Sequence, residues 1–89
     1  MRYRPDDGVS STPMDDGGLV LLREKSGRLY RCNPTAAAMW TALLEHDGQP
    51  DAASRSVAER YGTGSARVRA DLDVLLADLQ RTGLVRAEP

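Results

Sequence analysis

Residues Arg28-Leu29-Tyr30-Arg31-Cys32 run with no linker into Asn33-Pro34-Thr35-Ala36-Ala37-Ala38-Met39-Trp40, and this joint constrains the fold more than any other feature. The first five residues have the alternation of a strand. Asn33 suits a helix N-cap, because its side-chain oxygen can accept from the orphan amides of the first turn. Pro34 suits the next position, where a missing N–H costs nothing. A strand therefore meets a helix at residue 33. Upstream, Asp15-Asp16-Gly17-Gly18 is a turn signal, and Leu19 to Leu22 is an apolar run of strand length. Lys25-Ser26-Gly27 turns the chain again. Val9 to Met14 reads as a weaker strand, demoted to an edge by Pro13. The expectation is an antiparallel three-strand meander with Leu19 to Leu22 in its centre.

Beyond Pro34 the apolar period changes to that of a helix. Ala36, Trp40, Leu43 and Leu44 share a face of a helix ending near Glu45, with Trp40 as the core anchor. A second helix is predicted over Pro50 to Tyr61, with Ala53, Val57 and Tyr61 on a thin apolar stripe and Gly62 as its stop. The third starts near Ser65 and carries Val68, Leu72, Leu75, Leu76 and Leu79 as a core stripe. Gly83 suits its left-handed cap, with Leu84 folding back onto the helix. Residues 9–85 thus read as one α+β domain, a winged helix-turn-helix-like arrangement of three-stranded antiparallel sheet followed by three helices. Residues 1–8 are expected to be a polar lead-in and 86–89 a frayed tail.

Composition narrows the function. A chain of 89 residues holds one modest core. Twelve basic against thirteen acidic residues give a net charge of −1, which provides no bulk attraction to nucleic acid or to an anionic membrane. No apolar run approaches a membrane span, and the charged N-terminus is unlike a signal peptide. Cys32 is the single cysteine, read as a buried thiol in a reducing cytoplasm. His46 has no partner for a metal site, and a terminal position on the first helix accounts for it. Neither residue has an orienting carboxylate placed by spacing, so a nucleophile and base pair is not indicated and no catalytic residue is assigned.

One helical face is left over. Arg67, Asp71, Val74 and Asp78 form a second stripe on the third helix, beside the Leu75 edge of the core stripe. Val74 and Leu75 can floor a groove rimmed by Arg67, Asp71 and Asp78. Its other wall is the edge strand Leu29, Tyr30, Arg31 and Cys32, whose unpaired main-chain groups invite an extended peptide. The bland alternatives are a solvated helix face carrying a stray valine, and edge charges that merely prevent aggregation.

These residues resemble the PqqD-like family of precursor peptide recognition elements, which grip the leaders of ribosomally made, modified peptides. The likeness runs from about Val9 to Val85. It rests on Leu19 to Leu22, on Gly27-x-x-Tyr30-x-x-Asn33-Pro34-Thr35-Ala36 followed by Trp40, on Ala58-Glu59-Arg60-Tyr61, and on Val68 to Leu79 ending in Gly83-Leu84-Val85. The resemblance implies a non-catalytic adaptor without cofactor, whose leader docks antiparallel to the third strand and packs on the third helix. A free-standing domain of this size is similar to the discrete leader-binding subunit of split lasso-peptide systems, whose partner is a separate transglutaminase-like cysteine protease. It is also similar to the PQQ-biosynthesis peptide chaperone. Cys32 departs from the pattern, standing where a larger aliphatic residue is usual, and the second helix is poor in large apolar residues. A DNA-binding winged helix is the competing class, opposed by Asp71, Asp73 and Asp78 on the helix that would enter the groove.

Overall fold

The computed structural model describes residues 1–89. Strands β1 (Arg2–Pro5), β2 (Val9–Pro13), β3 (Leu19–Arg23) and β4 (Arg28–Cys32) precede helices α1 (Pro34–Glu45), α2 (Pro50–Tyr61) and α3 (Ser65–Arg81), and β5 (Val85–Glu88) closes the chain. β2, β3 and β4 form an antiparallel meander with β3 central. Leu19 and Leu21 point into the molecule while Val20 and Leu22 face out, and Cys32 lies opposite Leu19 on the buried side. The shortest dimension is 19 Å, the thickness of one sheet under one helical layer at about 10 Å each. No helix is long and apolar enough to cross a membrane.

The strand-to-helix joint forms through the cap. Asn33 is extended, and its Oδ1 accepts from the Ala36 amide at 2.8 Å. Trp40 is buried on α1, but Leu44 is 45% exposed: the core stripe narrows to Ala37, Met39, Trp40, Ala42 and Leu43 as the helix leaves the other elements. On α2, Ala53 and Val57 are buried with Ala58 and Ser54, whose hydroxyl donates to the Pro50 carbonyl. Small side chains let α2 lie close to both α1 and α3. Tyr61 departs from the expected stripe and is 54% exposed, because the last residue of α2 projects past the core. α3 ends in a full Schellman motif: Leu84 donates to the Leu79 carbonyl and Gly83, at φ +78°, donates to that of Gln80. Leu84 is fully buried.

Two expectations are corrected at the ends of the chain. The lead-in is not loose and the tail does not fray, because Arg2 to Pro5 pair antiparallel with Val85 to Glu88 as a separate two-stranded sheet. Tertiary placement supplies the reason. The Schellman turn aims β5 back along α3, and β1 is bonded beyond α1, where the Tyr3 amide donates to the Gly48 carbonyl at 2.9 Å. Charge does the rest. Arg4 bridges Glu88 at 2.7 Å and Asp47 at 3.1 Å, Arg2 also meets Asp47, and Arg86 and Arg23 reach Asp6.

The sheet makes two predictions. Gly48 has φ +77°, and a Cβ there would lie 2.3 Å from the Tyr3 carbonyl oxygen, main chain that cannot swing aside. Gly48→Ala is expected to cost about 2–3 kcal/mol by chemical denaturation. A loss under about half a kcal/mol would mean that β1 does not dock there. Acid is the second test. The Arg2 and Arg4 guanidiniums hold Asp47 below the usual carboxylate range, a hydrogen bond from Arg4 does so for Glu88, and the Asp7 amide for Asp6. Lowered carboxylate values stabilise the fold above the ordinary pKa, near 4, and that contribution is lost as pH falls through the lowered values. Protection of the β1 and β5 amides, taken against their intrinsic exchange rates at each pH, is expected to fall below about pH 4, before protection in β3 does. Simultaneous loss would show that the small sheet does not open separately.

Candidate functional site

The meander has two edges, and its hydrogen-bond parity makes them unequal. The Glu24 amide donates to Gly8 and the Met14 amide to Gly18, in the same register as the β2–β3 ladder. In that register the even residues 18 to 24 aim their main-chain groups at β2. Leu19, Leu21 and Arg23 therefore bond β4, where their partners are Cys32, Tyr30 and Arg28. Leu29 and Arg31 are left with both N–H and C=O directed away from the sheet. On the opposite edge the Val9 amide is already given to the Asp6 carbonyl, and Pro13 has none to give. β2 thus keeps a donor only at Ser11, while β4 offers two complete residues.

Beside β4 runs a trough. A cavity of about 240 Å³ lies between Tyr30, the first turns of α1 and the α3 face of Asp71, Val74, Leu75 and Asp78. Thr35, Met39 and Asp71 are walls shared with a second cavity of about 230 Å³, which continues between α1, α2 and α3 to Tyr61, Val68 and Arg67. Val74 is 65% exposed at the rim, and Leu75 is buried beneath it.

The predicted site residues separate into groups. Tyr30, Asp71, Val74, Leu75 and Asp78 come together in the first cavity. Arg67 lies in the second. Leu29 and Arg31 offer main-chain groups at the edge, but their side chains share the outer sheet face with Leu22 and Val20. Cys32 faces inward and is 2% exposed, so it belongs to the core; burial pushes its thiol pKa up. Thr35 and Met39 were missed by the sequence reading. Met39 carried no signal beyond helical spacing, whereas Thr35, on the first turn after a cap, lies next to any groove that the joint borders.

The two acids differ in state. Asp78 accepts from the Tyr30 hydroxyl at 3.3 Å and is bridged by Arg81. Burial, then the Asp78 charge, raises the Tyr30 pKa, so the phenol keeps the proton that it donates. Asp71 is exposed and stands outside every ion pair of α3, which join Arg69 to Asp51 and Asp73 and Arg81 to Asp78. No three of the His, Cys, Asp and Glu side chains gather closely enough to hold a metal ion. The trough offers an apolar floor, a free carboxylate and an open strand edge.

Two solved structures share this fold. One is TbiB1 in complex with the TbiA(beta) leader peptide, at a TM-score of 0.82 and 24% identity, covering 97% of this chain and 98% of that one. The other is lasso peptide synthetase B1 complexed with the leader peptide, also at 0.82 and 24%, covering 98% and 100%. No curated protein sequence matches the chain. The family model for coenzyme PQQ synthesis protein D, PqqD, matches residues 18–85, from the turn before β3 through the whole helical layer into β5, and the chain therefore belongs to the PqqD family.

Proposed function

We propose that this protein is a leader-peptide-binding adaptor for a ribosomally made, modified peptide, of the lasso class. It holds the leader as an added antiparallel strand on β4. The observation that carries the reading is the open edge at Leu29 and Arg31 alongside a trough floored by Val74 and Leu75. Strand addition supplies affinity through main-chain bonds, and the trough supplies preference through side chains. Proteins of the same fold solved with leader peptides bound support this choice of ligand. The N-terminal segment leaves the edge open, since β1 is committed to β5.

The adaptor performs no chemistry. It raises the local concentration of the precursor and presents it to a separate peptidase, a cysteine protease of transglutaminase-like type, in the cytoplasm where the precursor is made. Its α2–α3 pair, joined by Gly62-Thr63-Gly64, is a helix-turn-helix-like unit with the meander as its wing. DNA binding is disfavoured, because Asp71, Asp73 and Asp78 on α3 oppose the phosphate backbone.

Fluorescence anisotropy of the labelled leader segment from the neighbouring precursor tests the reading, with a random DNA duplex in parallel. Saturable peptide binding near micromolar or tighter, about −8 kcal/mol, is expected, with no DNA signal. Salt-sensitive DNA binding in place of peptide binding would overturn the adaptor role. Val74→Asp is expected to abolish leader binding with the fold intact, since the position is exposed and the new charge costs stability only through Asp71 and Asp78 nearby. Asp71→Ala is expected to weaken binding by about 1–2 kcal/mol, one charge-assisted hydrogen bond. Unchanged affinity in either variant would remove that residue from the site.

A further inference from the structure

The parity that opens the β4 edge also decides which way each residue of an added strand points, and this inference rests on the strand-addition reading above. Residues directly opposite each other in an antiparallel pair project from the same face. Leu29 and Arg31 carry their side chains on the sheet face away from the helices, while Tyr30 between them turns inward to Asp78. A peptide bonded to Leu29 and Arg31 therefore puts two side chains on the outer face and only the intervening one into the trough.

That outer face is ready to be read. Leu29 is 64% exposed beside the half-buried Leu22, an apolar step at the open edge. Arg31 is exposed and uncommitted, for every guanidinium in an ion pair belongs to Arg2, Arg4, Arg23, Arg69, Arg81 or Arg86. The strand residues around it on this face, Ser10, Thr12, Val20 and Leu22, are uncharged. The two sides of an added strand thus meet opposite fields, with Arg31 outside and the Asp71 carboxylate inside the trough.

We propose that the outer face of the sheet is a second specificity surface for the bound peptide, selecting an acidic side chain opposite Arg31 and an apolar one opposite Leu29. Antiparallel pairing fixes the order: acidic residue, trough residue, apolar residue, from the peptide's N-terminal side. Cross-strand ion pairs and apolar pairs are the units by which sheets discriminate partners, and a rim charge sets which sequences are rejected.

The test uses the full chain, a randomised peptide library displayed on phage, and the labelled leader segment. Wild-type protein is expected to enrich sequences with an acidic residue two positions before an apolar one. Arg31→Glu is expected to exchange the acidic preference for a basic one and to bind the leader roughly fivefold to tenfold more weakly. Arg31→Gln should fall between, and Leu29→Ser should lose the apolar preference; circular dichroism checks that each variant is folded. Equal leader affinity and identical enriched sequences for all four proteins would overturn the second surface while leaving strand addition standing. Absence of saturable leader binding to the wild type would overturn strand addition itself, and the pattern with it.

Discussion

The capped joint at Asn33 is the contact through which the sheet and the helices acquire a fixed relation. With no residue between the end of β4 and the first turn of α1, the direction of the helix is set by the backbone of one extended residue and by its side-chain bond to Ala36. A flexible linker would let the layers slide. The short joint instead sets Thr35 and Met39 beside Tyr30, and α3, packed on the same core through Leu72, Leu75, Leu76 and Leu79, closes the other wall. The trough follows from that closure rather than from any one pocket-forming residue.

A second constraint comes from counting main-chain groups. The central strand alternates its bonds between two neighbours, and this leaves Leu29 and Arg31 as the outward pair on β4, whereas Val9 and Pro13 blunt β2. Sheets are usually protected at both edges against unwanted pairing. Here protection is one-sided, and the open side is the one that borders the apolar trough. Edge and trough together make the peptide proposed to bind there a continuation of the sheet.

The small β1–β5 sheet is separate from the meander and pairs with neither of its edges. It ties the two ends of the chain to each other and to the α1–α2 turn through Gly48, with Arg2, Arg4, Asp47, Glu88, Asp6 and Arg86 interleaved by charge. Exposed pairs of this kind are individually weak. Their combined effect is to keep a charged N-terminal segment docked where it does not compete for β4. Closing the chain's ends also extends the cover over α3, whose C-terminal turn is pinned by the buried Leu84.

The amino-acid sequence by itself determined the local structure: the meander, the three helices with their boundaries, the Asn33 cap and the Gly83–Leu84 turn. Each of these rests on interactions within a few residues, so their signals are periodicity, caps and turn chemistry. It also marked Val74, Asp71 and Tyr30 as neighbours of a groove, because helical and strand periods say which residues share a face. Only the tertiary structure decided that β1 pairs with β5, since two short polar segments at opposite ends of the chain carry no mutual signature until α3 and the α1–α2 turn bring them together. It alone separated Asp78, already bonded to Tyr30 and Arg81, from the uncommitted Asp71, and it alone took the Leu29 and Arg31 side chains out of the trough and onto the outer face. The reason is the same throughout: which groups are left unsatisfied depends on partners distant in sequence, and their positions are set by packing.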